Sequence, residues 1–124
     1  MLVPCTIDVD FSYFKRVCKR AAKRHRSLPQ ELAKIFAAVE VDALSRGDRI
    51  PGFGHELHLR KIRIGIAADR IPPSGGYRLI LQLLEVETQM VARCLDLYYK
   101  PDQSDISQAD ALRLVGDAAV RQPE

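Results

Sequence analysis

Leu57-His58-Leu59-Arg60-Lys61-Ile62-Arg63-Ile64, the loop Asp69-Arg70-Ile71-Pro72-Pro73-Ser74-Gly75-Gly76, and Tyr77-Arg78-Leu79-Ile80-Leu81-Gln82-Leu83-Leu84 lie within the segment Gly47–Leu84, and how they are read decides the fold. Both apolar runs are strand-like and are punctuated by a Pro/Gly loop. Side chains of a strand alternate between faces. Ile62, Ile64 and Ile66 therefore share one face of the first strand, opposite Lys61 and Arg63. In the second, Tyr77, Leu79, Leu81 and Leu83 oppose Arg78, Ile80, Gln82 and Leu84. A cation inside an apolar strand is costly unless it meets water, a partner or a ligand. The consistent arrangement buries Ile62, Ile64, Leu79, Leu81 and Leu83 and places Lys61, Arg63, Arg78 and Gln82 on the other face.

Moving outward, Gln89–Tyr99 reads as a further strand, joined to its predecessor through Leu84-Glu85-Val86-Glu87-Thr88. It carries Asp96 and Tyr98 on one face and Arg93 and Tyr99 on the other. Which tyrosine looks toward the cations depends on register. On the N-terminal side, Leu2–Val9 reads as a strand with Pro4 near its start. Asp10 is placed to cap a helix whose apolar positions are Phe11, Phe14, Val17, Cys18, Ala21 and Ala22. Lys15, Arg16, Lys19, Arg20, Lys23 and Arg24 fill its outer side, which suits either a solvated face or contact with nucleic-acid phosphates or an acidic partner. Ser27, with Gln30 three residues later, is placed to cap a second helix lined by Leu32, Ile35, Phe36, Val39 and Ala43 and ended by Gly47. Ser107, with Asp110 three residues on, starts a last helix, and the tail from Gly116 (116–124) should fray.

The reading is one domain spanning 1–124, of class α+β: an antiparallel sheet with a two-helix hairpin on one face, in the order β-α-α-β-β-β-α. The second sheet face is expected to be open. A cluster of cations there suits a phosphate backbone, or else cross-strand ion pairs such as Arg78 with Asp96.

At 124 residues the chain is long enough for a real core. No apolar run reaches membrane-spanning length, and the first residues lack a basic n-region followed by a long apolar stretch, so neither a membrane anchor nor a secretory signal is expected. Cys5, Cys18 and Cys94 are odd in number and widely spaced, which points to reduced thiols in a cytoplasmic setting and to small buried hydrophobes. His25, His55 and His58 lack metal-ligand spacing. His55 and His58 lie near Lys61 in sequence, as surface groups or proton carriers.

Gly47-Asp48-Arg49-Ile50-Pro51-Gly52, Leu59-Arg60-Lys61-Ile62-Arg63-Ile64, Ser74-Gly75-Gly76-Tyr77-Arg78-Leu79-Ile80 and Leu95-Asp96-Leu97-Tyr98-Tyr99-Lys100 follow one another in an order that resembles a RelE/HigB-type toxin of a bacterial type II toxin–antitoxin pair, in the RelE/ParE superfamily. The resemblance covers nearly the whole chain. It implies a RelE-like fold and a small endonuclease that cuts mRNA on the ribosome and so inhibits translation. It implies chemistry without a metal and a cognate antitoxin as partner; no other cofactor and no membrane contact is expected. Attack of a ribose 2′-OH on the adjacent phosphate needs a proton acceptor, a proton donor and cations. By resemblance the catalytic set is Arg78, Lys61 and Arg63, and Lys100 contacts RNA; Arg70 is placed to replace a family charge and hold RNA, and Tyr98 and Tyr99 are the rings that could stack on a base. The chain departs from the family pattern where a lysine is usual: Pro73 stands in the glycine-rich segment, and Gln103 in the loop after Lys100. These departures keep an alternative in view, a non-enzymatic ParE-like gyrase inhibitor or a degenerate toxin that only binds its antitoxin.

Overall fold

The computed structural model describes residues 1–120 of the chain. It is α+β, with three helices and a five-stranded sheet. In chain order the elements are β1 (Thr6–Asp8), α1 (Ser12–Arg24), α2 (Leu28–Val41), β2 (Asp48–Arg49), β3 (His58–Ile64), β4 (Tyr77–Val86), β5 (Gln89–Tyr99) and α3 (Gln108–Ala119). Short 3-10 turns at Ala67–Asp69 and Pro73–Gly75 fill the connection from β3 to β4. The sheet order is β1-β5-β4-β3-β2.

The sheet is mixed, where the sequence suggests an antiparallel one. β1 runs parallel to β5, with Thr6 opposite Val91 and Asp8 opposite Arg93. Most of the chain, both first helices included, separates these two strands, and parallel neighbours need a long connection of this kind. β1 is also shorter than the run Leu2–Val9, and the two-residue β2 adds a strand that was not expected. β2 meets only Arg60 and Lys61 of β3. Ile62–Ile64 therefore form a free edge.

The core follows the alternation of β3 and β4. Ile62, Ile64, Tyr77, Leu79, Leu81 and Leu83 are buried with Phe14, Leu28, Leu32 and Val39 of the helix pair. Each fully buried aliphatic side chain contributes roughly 1.5–3 kcal/mol. Cross-strand partners share a face, so Leu83 with Ala92 and Leu81 with Cys94 extend this layer onto β5. The register then shifts between Ile80 and Leu81, leaving Leu95 as an extra residue on β5. A bulge of this kind resets the alternation. Arg93, Asp96 and Tyr98 consequently lie opposite Gln82, Ile80 and Arg78 respectively. Unbroken alternation had put Arg93 on the face away from Asp96 and Tyr98; the bulge brings all three to the cation side.

That second face is not open. Leu59, Ile80, Gln82 and Arg78 on it are buried. Lys61 reaches Asp105 in the loop ahead of α3, a side chain at Gly52 would run into Gln108 at the start of α3, and Ala111, Leu114 and Ala118 of α3 are buried. The last helix and its leading loop are the cover that the sequence reading left out.

Capping differs in detail. Ser107 caps α3 as expected, accepting from the Asp110 N–H at 3.1 Å. α1 begins after Phe11 rather than Asp10, with no side-chain cap. Ser27 precedes α2 but its backbone is helical and its hydroxyl bonds nothing at the helix start, so the capping box with Gln30 does not form. α3 continues through Gly116 to Ala119, where fraying was expected; the remainder of the expected tail, 121–124, lies outside the described residues. Glu87 and Thr88 close the β4–β5 hairpin, both with positive φ (51° and 69°). That is the backbone of a two-residue type I′ hairpin turn, whose hand matches the strand twist. Among the described residues no helix is long and apolar enough to cross a membrane.

Candidate anion-binding groove

Arg63 and Arg78 stand directly opposite each other across β3 and β4, and Tyr98 lies opposite Arg78 on β5. Like charges in that position repel. The two arginines resolve the repulsion differently. Arg78 is 3% exposed. Its guanidinium donates to the carbonyls of Pro73 (2.9 Å), Ser74 (2.9 Å) and Tyr77 (3.2 Å). It therefore pins the Pro73–Gly75 turn against the strand. Burial, then the Arg63 charge, pulls its pKa below the ordinary arginine value. Gly76 completes the motif: a Cβ there would collide with the Ile64 carbonyl, whereas one at Gly75 meets open space. Of the two glycines in Ser-Gly-Gly-Tyr-Arg, only Gly76 is demanded by close approach.

Arg63 stays exposed on the free edge of β3. It lines a groove of about 800 Å³ together with Arg46, Arg70, Glu31, Ile35 and Pro73. The three arginines come from three places: the segment after α2, β3, and the turn after Ala67–Asp69. Arg70 sits in the left-handed region (φ 57°), uncommon for a residue with a Cβ. The one acid in the lining among the described residues, Glu31, is already engaged, accepting from the Ala67 N–H at 3.1 Å and lying 3.8 Å from Lys34. Among the described residues none of the three arginines forms an ion pair. Arg46 is the member that sequence reading missed; nothing in its local pattern sets it apart from the other surface cations.

Lys61, two residues from Arg63 and on the same side, donates to Asp105 at 3.0 Å. The lysine holds the Asp105 carboxyl below its ordinary value. Tyr98 is 7% exposed, and its hydroxyl is pushed up to about 12 by burial and by Asp105. Tyr99 lies on the other side, its ring 5.0 Å from His25 and 4.9 Å from Tyr77, with the Arg24 guanidinium 4.5 Å above it. The register thus settles which tyrosine joins the cations, but neither presents a free ring for base stacking. Lys100 is exposed and its N–H donates to the Gly76 carbonyl at 2.9 Å, which fixes the end of β5 beside the turn.

The histidines are elsewhere. His58 shares the face of Arg60 and Ile62 rather than that of Lys61. Burial and the charges of Arg49 and Arg60 lower its pKa. His25 and the Tyr77 hydroxyl meet at 2.8 Å on the helix side of the sheet. No imidazole lines the groove. The thiols are free. Cys94 is fully buried and Cys18 is pushed up to about 12 by burial, which makes both poor nucleophiles. Cys5 donates to the Val39 carbonyl.

The arrangement offers fixed positive charge on a shallow edge groove, with apolar walls and a neighbouring lysine. It can hold a phosphate chain by electrostatics, and among the described residues no histidine lines it for proton transfer. No family model, curated protein or solved structure matches this chain.

Proposed function

We propose that the chain is a RelE/HigB-type toxin whose groove at the β3 edge binds the backbone of mRNA presented by the ribosome. The observation that carries this reading is the convergence of Arg46, Arg63 and Arg70, three arginines from separate segments with no ion pair among the described residues, on a groove whose acid among those residues, Glu31, already accepts from the Ala67 N–H. Three uncompensated charges held together are costly in a folded protein and favourable in the presence of a polyanion. In this reading Arg63 touches the scissile region, Lys61 and Lys100 flank it, Arg70 and Arg46 hold the adjacent backbone, and Arg78 is a positioning residue that shapes the turn. Cleavage would proceed by attack of the ribose 2′-oxygen on phosphorus as it loses its proton, with departure of the 5′-oxygen as it gains one. The arginines would stabilise the added charge.

A second reading is favoured by two observations. The Arg78 guanidinium spends both its terminal nitrogens on backbone carbonyls, and among the described residues no imidazole lines the groove. Both fit a domain that binds without cutting, such as a gyrase inhibitor or a degenerate toxin that retains only its antitoxin. Purified protein in a translating extract separates the two. The first reading requires message cut at defined positions, with cutting slowed at least tenfold by Arg63→Ala. Intact message together with loss of DNA supercoiling activity would assign the protein to gyrase. Failure to bind single-stranded RNA even at low salt would remove both the substrate and the role given to the groove.

A further inference from the structure

We infer that the loop between β5 and α3 is an acidic strap that occupies part of the anion-binding surface and must yield when a phosphate chain binds. The inference rests on the RNA-binding reading of the site and adds a regulatory element to it. The strap begins at Lys100-Pro101-Asp102-Gln103-Ser104-Asp105. It straddles the end of β5, because consecutive residues of that strand face opposite ways. On the helix side Asp102 pairs with Arg24 at 2.5 Å, and Arg24 in turn covers the Tyr99 ring. On the cation side Asp105 takes the Lys61 ammonium at 3.0 Å and faces the Tyr98 hydroxyl.

Asp105 is where an anionic ligand of Lys61 would be. Its carboxylate is a stand-in for a phosphate oxygen, close enough to Arg78 for their charges to interact. Both strap ion pairs are solvent-exposed, with side-chain accessibilities of 51% and 56% for Arg24 and Asp102, and 32% and 64% for Lys61 and Asp105. Ion pairs this exposed hold only weakly, so a polyanion that releases counterions can displace them. The first half of the strap is fixed by backbone bonds, Asp102 and Gln103 N–H to the Tyr99 carbonyl. The second half, from Ser104, is tied mainly through Gln103 to the Asp105 carbonyl and through Asp105 itself. The Arg24–Asp102 pair acts as a latch and Asp105 as the blocking group.

The test compares Asp105→Asn, Asp102→Asn and Asp117→Asn with the wild-type chain. Asp117 is an exposed helix residue paired with Arg113 and serves as the control for equal loss of negative charge. Two probes are titrated across a salt series, a single-stranded RNA oligonucleotide and inorganic tripolyphosphate. Asp105→Asn is expected to tighten RNA about three- to fivefold, and the slope of log affinity against log salt should steepen by about 0.7, one more cation having become available. Asp102→Asn should act in the same direction with a smaller gain, and Asp117→Asn should leave the slope unchanged. If RNA does not bind but tripolyphosphate binds more tightly to Asp105→Asn, the strap stands and the RNA reading falls. Unchanged or weaker binding of both probes by Asp105→Asn, with its melting temperature intact, overturns the strap.

Discussion

Arg60 and Arg78, set against Lys61 and Arg63, show two fates for cations on neighbouring strands. Arg60 is 7% exposed and Arg78 3%, and each gives its guanidinium to main-chain carbonyls. Arg60 donates to Arg46 at 3.0 Å and to Gly47 at 2.7 Å; Arg78 donates to Pro73, Ser74 and Tyr77. Both fasten a turn onto the sheet, one at each end of β3. Gly47 makes the first fastening possible, because its positive φ (73°) and its contact with the Lys61 carbonyl leave no room for a Cβ. Lys61 and Arg63 fasten no turn. One meets an exposed carboxylate and the other faces a groove. A charge inside an apolar strand is thus a pin when carbonyls converge on it and stays available to a ligand when they do not.

The largest expected effect tests the pins. Arg78→Ala should lower unfolding free energy by about 3 kcal/mol, since it removes the packing of a buried side chain together with the hydrogen bonds that tie the Pro73–Gly75 turn to the strand. Arg60→Ala should lower it by about 2 kcal/mol for the same reason. Arg78→Lys should recover less than half, because one ammonium cannot match a planar fork. Denaturant melts give these values directly. A melt unchanged by Arg78→Ala would remove the distinction between pins and binding groups, and Arg78 would return to the site as a ligand-facing cation.

That distinction was not legible in the sequence. Alternation correctly grouped Ile62, Ile64, Leu79, Leu81 and Leu83 as one buried face, because a half-buried strand writes its period into the choice of side chains. The same alternation grouped Lys61, Arg63 and Arg78, and there it ran out. What separates Arg78 from Arg63 is a turn of Pro73–Gly75 that folds back over one of them, a tertiary fact with no local trace. The bulge at Leu95 was invisible for a related reason, since one extra residue changes register without altering composition. The last helix was legible but its place over the second sheet face was not, because its buried side of Ala111, Leu114 and Ala118 does not say which surface it covers. The groove was half legible: Arg63 and Arg70 were singled out, while Arg46 joins them only through the path of the chain after α2.

The next effect in size tests the binding groups. Arg63→Ala should weaken single-stranded RNA about fivefold at moderate salt and flatten the salt dependence by about 0.7 in slope, leaving unfolding free energy within about 0.5 kcal/mol of the wild type. Arg46→Ala and Arg70→Ala should do the same to a lesser degree, which fluorescence anisotropy would resolve. Loss of stability rather than affinity in Arg63→Ala would move that residue to the side of Arg78.

The smallest effect separates the two regions by pH. His58 lies 3.4 Å from the Arg60 guanidinium, and burial together with Arg49 and Arg60 depresses its pKa below the ordinary 6.5. A histidine with a depressed folded pKa favours the native state while neutral. Its contribution is present above the unfolded value and is lost as pH falls through 6.5 toward the lower folded value. The pin at Arg60 should therefore loosen on mild acidification. Melting temperature followed from about pH 7.5 to about pH 5.5 should fall more for the wild type than for His58→Gln, which carries no titrating ring. Parallel curves for the two proteins would show that His58 reaches water freely and does not crowd Arg60, and the acid sensitivity would then have to lie elsewhere. RNA binding by Arg63 should survive the same pH change, so the two halves of β3 would part company in one titration.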